Sequence, residues 1–125
     1  MKSHIAYFSM EICLDDSLPS YSGGLGILAG DTIKSSADLN IPMVGVSLLY
    51  HHGFFTQSFD DEHHQITNPV TWNPSSILKL VPTKVSVSIE GRTIILQAWK
   101  YTVKGVHKKS VPVYFLDANL PENSE

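Results

Sequence analysis

The chain has 125 residues, 42% hydrophobic and 17% charged, with a net charge of −3. That is the composition of a folded globular unit rather than a disordered one, with room for one domain but not for two domains and a cleft between them. No basic block occurs beyond Lys108-Lys109 to attract nucleic acid, no apolar run approaches membrane-spanning length, and the single Cys13 forbids an internal disulfide. A reducing, cytoplasmic setting is expected.

In chain order, His4 to Met10 is a short apolar run rich in strand formers, and the strand is expected to end near Met10-Glu11-Ile12. Residues 13–21 carry Pro and Ser punctuation and read as a polar loop. The stretch Ser22-Gly23-Gly24-Leu25-Gly26-Ile27-Leu28-Ala29-Gly30-Asp31 follows. Leu25, Leu28, Ala29, Thr32, Ile33, Ser36 and Ala37 then recur at helical spacing, which predicts a helix running to about Leu39. Asn40 suits the left-handed position beyond a helix end, and Pro42 prevents continuation. Residues 43–50 are nearly all apolar, as in a strand buried on both faces of a parallel sheet. Strand, helix and strand over residues 4–50 form a crossover unit with its glycine turn at the carboxyl end of the first strand, the edge where open α/β sheets bind ligands.

Residues 51–83 read mostly as loop, with Asn68-Pro69 and Asn73-Pro74 marking turns. Residues 84–117 read as β-rich. Val85, Val87 and Ile89 alternate with polar residues in a half-buried pattern, Glu90-Gly91 makes a tight turn, and residues 92–103 return as the partner strand. Ser110 to Asp117 is a further buried strand. About five strands and one convincing helix do not complete a doubly wound sheet, so the pattern reads as the opening of a larger domain.

The glycine turn has two readings. It is either a tight strand-to-helix connection that binds nothing, or a cradle whose first helical N–H groups meet an anion, most often a phosphate. Glu11 stands beside it as a solvated strand-end carboxylate or a pocket residue, and Asp31 is as plausibly a solvated charge as a ligand group. His51, His52, His63 and His64 lie near Asp60, Asp61 and Glu62. Neighbouring histidines on a strand face opposite ways, and neither His-x-x-x-His nor Cys-x-x-Cys occurs, so surface imidazoles are expected rather than a metal site. Cys13 has no basic partner in sequence and reads as an inert thiol. Neither Gly-x-Ser-x-Gly nor a complete Walker sequence is present.

Ala6 to Glu11 together with Tyr21 to Asp31 closely resembles the start of the catalytic region of the α-glucan (glycogen, starch, maltodextrin) phosphorylases, of the shorter bacterial type. The similarity continues through Lys34 to Leu39, Pro42 to Val46 and Leu48-Leu49-Tyr50, then Gly53, Phe55, Gln57, Asp60 and Gln65, and finally Val111 to Asp117 with Leu120 to Asn123. The resemblance implies an α/β fold: a Rossmann-like three-layer sheet, here the incomplete first half of a two-domain GT-B type glycosyltransferase. It implies transfer of a glucosyl unit from α-1,4-glucan to inorganic phosphate with retention, yielding glucose 1-phosphate. Pyridoxal phosphate belongs to the second domain, and no lysine of this chain matches the position that carries it.

In family terms Gly24 offers its N–H to the substrate phosphate, Gly23 keeps the turn open, Leu25 lies against the glucosyl unit and Glu11 lines the same pocket. No residue of this chain is assigned a catalytic role. The expectation is an amino-terminal phosphorylase portion, inactive alone, with a missing carboxyl-terminal half as its possible partner. A non-catalytic remnant or partner module of the same fold is the alternative. A starch or glycogen synthase-like enzyme is less suitable, because no Lys occurs between Met10 and Asp31 to meet a nucleotide diphosphate. Cys13 departs from the family's usual Gly, His51-His52 from a basic and polar pair, and His63-His64 from Gly-Trp.

Overall fold

A computed structural model describes residues 3–21 and 23–123, with only the backbone described at 53–56. Met1, Lys2, Ser22, Ser124 and Glu125 lie outside the described residues, so Ser22 of the glycine stretch has no structural account. The elements are β1 (Ile5–Phe8), α1 (Gly24–Asp38), β2 (Met43–Leu48), β3 (His52–Phe59), β4 (Gln65–Thr71), a 3-10 turn (Pro74–Ser76), β5 (Lys79–Ile89), β6 (Arg92–Lys104) and β7 (Ser110–Asp117). Five strands form one sheet in the order β1-β2-β7-β6-β5, and β3 and β4 form a separate two-stranded ribbon.

The expected crossover unit is present: β1 and β2 are parallel with Phe8 opposite Val46, and β2 is parallel to β7 with Val46 opposite Tyr114. The sheet is mixed rather than wholly parallel, because β6 runs antiparallel to both β7 and β5. Helix α1 ends as its sequence dictates. Asn40 adopts φ 55, and the Leu39 and Ile41 N–H groups donate to the carbonyls of Ser35 and Ser36 at 2.9 Å each. Glu90 (φ 50) and Gly91 (φ 76) supply the two left-handed residues of a tight hairpin between β5 and β6.

One face of the sheet carries the core. Ile33, Ala29 and Ala37 of α1 pack with Val103, Val111, Val113 and Phe115, all 7% exposed or less. The helix lies close because Gly45 leaves room for Ile33, whose Cδ1 would stand 2.9 Å from an added Cβ. The buried stripe of α1 is Gly26, Ala29, Gly30, Ile33, Ser36 and Ala37. Leu25 and Leu28, expected in that stripe, are instead 55% and 61% exposed; where the loop crosses the first turns of α1 only Gly26, Ala29 and Gly30 are buried.

Three further expectations are corrected. β2 is not buried on both faces: Met43, Gly45 and Ser47 are buried towards α1, whereas Val44 and Val46 are half-buried and Leu48 is exposed. Residues 51–83 are not mainly loop, since Phe59 pairs with Gln65 and His52 with Thr71 in the ribbon. Pro69 is tolerated there because it falls at the register shift between Gly53 and Thr56, where the ladder is interrupted. Val85, Val87 and Ile89 are exposed rather than half-buried, because β5 is the last strand of the sheet and α1 does not reach it.

Candidate functional site

The glycine turn is held from behind by the loop that leads to it. Ile12 N–H donates to the Ser20 carbonyl at 3.0 Å, the Ser20 hydroxyl donates back to the Ile12 carbonyl, and Ile12 and Leu18 are fully buried. Cys13 N–H donates to the Gly26 carbonyl at 2.9 Å, fastening this loop to the first turn of α1. A Cβ on Gly26 would stand 2.5 Å from Tyr21 Cβ, and one on Gly30 would stand 1.9 Å from the Cys13 carbonyl oxygen. These two glycines exist to let the loop cross the helix.

Gly23 and Gly24 differ. A Cβ on either meets nothing within 4 Å, and Gly23 is extended at φ −164, a conformation open to any residue. Among the described residues, neither packing nor backbone strain calls for glycine here. As the N-cap of α1, Gly23 brings no capping side chain, and the first turn holds no acidic residue. The amino end of the helix carries the partial positive charge of its first N–H groups, with no capping side chain on Gly23.

The sequence-predicted residues are brought together in part. Glu11 Oε2 lies 3.3 Å from the Cβ position of Gly26, which places its carboxylate beside the first turn of α1. Leu25 is exposed on the same turn, next to Gly23 and Gly24. Asp31 is further along α1 and exposed, as a solvated charge would be.

His51 is not the surface imidazole expected of it. Its Nε2 is 2.8 Å from Oδ1 of Asp117, a residue only 1% exposed at the carboxyl end of β7. The same carboxylate accepts hydrogen bonds from Gln97 Nε2 at 2.8 Å, Trp99 Nε1 at 3.1 Å and Asn119 N–H at 2.9 Å. Burial alone would raise the pKa of Asp117, but donors from Gln97, His51, Asn119 and Trp99 outweigh it and hold the carboxyl below the ordinary aspartate value. This network ties the turn after β2 to β6 and β7 at the carboxyl edge. Sequence reasoning missed it; the one available signal was an acidic residue closing an otherwise apolar strand.

His63 and His64 lie in the ribbon turn, where Asp60 Oδ1 accepts the N–H groups of Glu62 and His64 at 2.9 and 2.8 Å. Among the described residues no three His, Cys, Asp or Glu side chains converge to hold a metal ion. Pyridoxal phosphate, the cofactor that the resemblance implies, is held through a Schiff base. A Schiff base needs a lysine held in a desolvated pocket, and every described lysine is exposed except the half-buried Lys100 on β6, remote in sequence and strand order from the glycine turn. No helix of the described residues is long and apolar enough to cross a membrane.

A strand, a glycine turn and a helix at the carboxyl edge of a mixed sheet place the chain among the α/β proteins. Within that class the sequence is specific: the profile of the carbohydrate phosphorylases matches residues 14–121, and the chain belongs to that family. It is 39% identical over 127 residues to the maltodextrin phosphorylase of Thermococcus litoralis, a match covering 96% of this chain and 15% of the relative. It is 40% identical over 126 residues to the glycogen phosphorylase of Mycobacterium tuberculosis, covering 95% of this chain and 14% of the relative. The glycogen phosphorylase of Aquifex aeolicus is 32% identical over 129 residues, covering 98% and 18%. The chain thus spans less than a fifth of these relatives' length.

Proposed function

We propose that this chain is the amino-terminal portion of an α-glucan phosphorylase, cytoplasmic and inactive alone. The complete enzyme would release glucose 1-phosphate from α-1,4-glucan with inorganic phosphate and retention, in a GT-B arrangement of two Rossmann-like domains with the first sheet in three layers. The observation that carries this reading is the pair Gly23-Gly24 at the start of α1, where no described residue comes within 4 Å of an added Cβ. Glycines there allow a ligand to approach the backbone directly.

The roles follow from charge and reach. N–H groups of Gly24 and Leu25 face the substrate phosphate, where fixed donors and the helix dipole stabilise negative charge in a closed site. The Leu25 side chain offers an apolar surface to the glucosyl ring. Glu11, negative itself, repels phosphate and suits hydroxyl donors of the sugar. Pyridoxal phosphate would be held by a lysine in the part of the relatives that lies beyond the matched segment.

The test is a chimera in which this chain replaces the matched segment of the T. litoralis maltodextrin phosphorylase. Phosphorolysis of maltooligosaccharide by the chimera, its loss on Gly24→Val, and no activity from the 125-residue chain are expected. A folded but inactive chimera would favour the remnant reading.

A further inference from the structure

On the side of the sheet turned away from α1, two lysines face each other without a counter-charge. Trp99, Tyr101, Val113 and Phe115 pack on the α1 side, so Lys100 and Tyr114, which alternate with them, point the other way. The register sets Lys79 of β5 directly opposite Lys100 of β6, and Lys100 directly opposite Tyr114 of β7. Residues so placed share a face, and like charges there repel. Lys100 is half-buried, so water screens that repulsion less than it would at an open surface. Among the described residues neither ammonium has a carboxylate within 4.0 Å, whereas Lys84 on the same strand as Lys79 has Glu122 at 2.6 Å.

The backbone is shaped around this pair. Leu80 pairs with Trp99 and Lys84 with Gln97, so Val81, Pro82 and Thr83 oppose Ala98 alone. A bulge of this kind bends its strand and re-aims side chains. Here Leu80, Val81 and Pro82 wall a cavity of about 240 Å³ whose remaining lining is Lys79, Lys100 and Tyr114. A repelling pair, a bulge and a cavity coincide, and a bound anion reconciles them.

Two ammoniums are matched by a group that carries two negative charges. A phosphate group brings about −1.5 to −2 charge at neutral pH and three strong acceptor oxygens, and lysine meets it as a point charge. A single carboxylate would leave one lysine unmatched. The Tyr114 hydroxyl adds one more donor, or accepts from a hydroxyl of the ligand. Size narrows the class: pockets for drug-sized molecules span about 300–1,000 Å³, so this one suits a phosphate with a few attached carbons rather than a nucleotide or a glucan chain.

We propose that the Lys79–Lys100–Tyr114 cleft is an anion site for inorganic phosphate or the phosphate monoester of a small polyol. It is separate from the glycine turn. Tyr114 lies in one cross-strand row with Val46 and Phe8, and the turn follows β1 at the far end of the sheet order. A phosphate held there bridges β5, β6 and β7 and stabilises the chain by mass action.

The test titrates the chain with inorganic phosphate and with glycerol 2-phosphate in a calorimeter at fixed ionic strength, with acetate as the monoanionic control. Both phosphates are expected to bind and to raise the melting temperature, and acetate to do neither. Tighter binding of glycerol 2-phosphate assigns the site to monoesters, and equal or weaker binding assigns it to the free ion. Lys100→Met, which keeps most of the stem, should weaken phosphate at least about tenfold, and Lys79→Met at least about threefold. Without phosphate both variants should melt at or above the parent's temperature, because the repulsion is gone. That reading separates lost binding from lost fold. Gly24→Val should keep the parent's affinity. The proposal is overturned by a parent that binds neither phosphate, by equal stabilisation with acetate, by unchanged affinity in Lys100→Met, by lower melting of both lysine variants, or by loss of binding in Gly24→Val. If Lys100→Met does not accumulate, Lys79→Met decides on the same readings.

Discussion

Two pairs of glycines sit within one turn or two of each other at the start of α1 and answer to different demands. Gly26 and Gly30 are shaped by the protein's interior, since the Tyr21 side chain and the Cys13 carbonyl occupy the space a methyl would need. At Gly23 and Gly24 no described residue comes within 4 Å of an added Cβ. The same residue type is therefore required by packing at one pair and not at the other, and only the fold separates them. A glycine-rich motif is not one signal but two superimposed.

The sharpest way to break this comparison is Gly30→Ala. An added Cβ at 1.9 Å from a backbone oxygen cannot be relieved by a rotamer, so loop and helix must part. A loss of about 3 kcal/mol or more is expected in thermal or urea unfolding of the chain. Melting close to the parent's would mean that the inner pair is no more constrained than the outer.

Asp117 tests the other end of the carboxyl edge, where constraint comes from hydrogen bonds rather than space. Asp117→Ala leaves four donors without their acceptor and is expected to cost roughly 2–4 kcal/mol. The pH dependence has a definite sign. Because the folded carboxyl lies below its ordinary value, its stabilising contribution is present above the unfolded pKa and is lost as pH falls through the folded one. Acid titration of the parent should show that loss, and Asp117→Asn should flatten it; parallel curves would remove Asp117 from the account.

At the outer pair, Gly24→Ala should move stability by no more than about 1 kcal/mol, and upward if at all, since alanine favours helix over glycine. Its effect belongs in ligand contact, read as reduced phosphorolysis in the chimera at unchanged melting temperature. Equal losses of stability at Gly24 and Gly30 would erase the distinction. The smallest effect is expected at Ser47, whose buried hydroxyl has no hydrogen-bond partner among the described residues. Ser47→Ala should be neutral or stabilising by about 1 kcal/mol in the same unfolding assay.

What could be read from the chain alone was local chemistry. Asn40 and Pro42 announced the end of α1, and Glu90-Gly91 announced the hairpin, because left-handed backbone is tolerated by few residues. The β3–β4 ribbon was obscured by Asn68-Pro69, which has the chemistry of a turn but occupies a strand where its ladder is interrupted. Leu25 and Leu28 fit a helical stripe by spacing, yet the first turns of α1 bury Gly26, Ala29 and Gly30 instead, since the close approach of the loop selects against bulk there, and Ile33 is accommodated further on by Gly45. The Asp117 network was invisible for a simpler reason. Its side-chain donors, His51, Gln97 and Trp99, come from two distant segments, and no spacing rule links them.

The last strand of the sheet bears on how the molecule behaves in a tube. Among the described residues β5 has no strand on its outer side, with Val85 53% and Ile89 50% exposed, and it carries Pro82, which lacks an amide hydrogen, Lys79, and Lys84 paired with Glu122 at 2.6 Å. Such a border is a template for a neighbour's strand. Preparations of the chain should stay monodisperse when dilute and form ladders of edge-joined copies as concentration rises, so refolding yield will depend on dilution as much as on buffer.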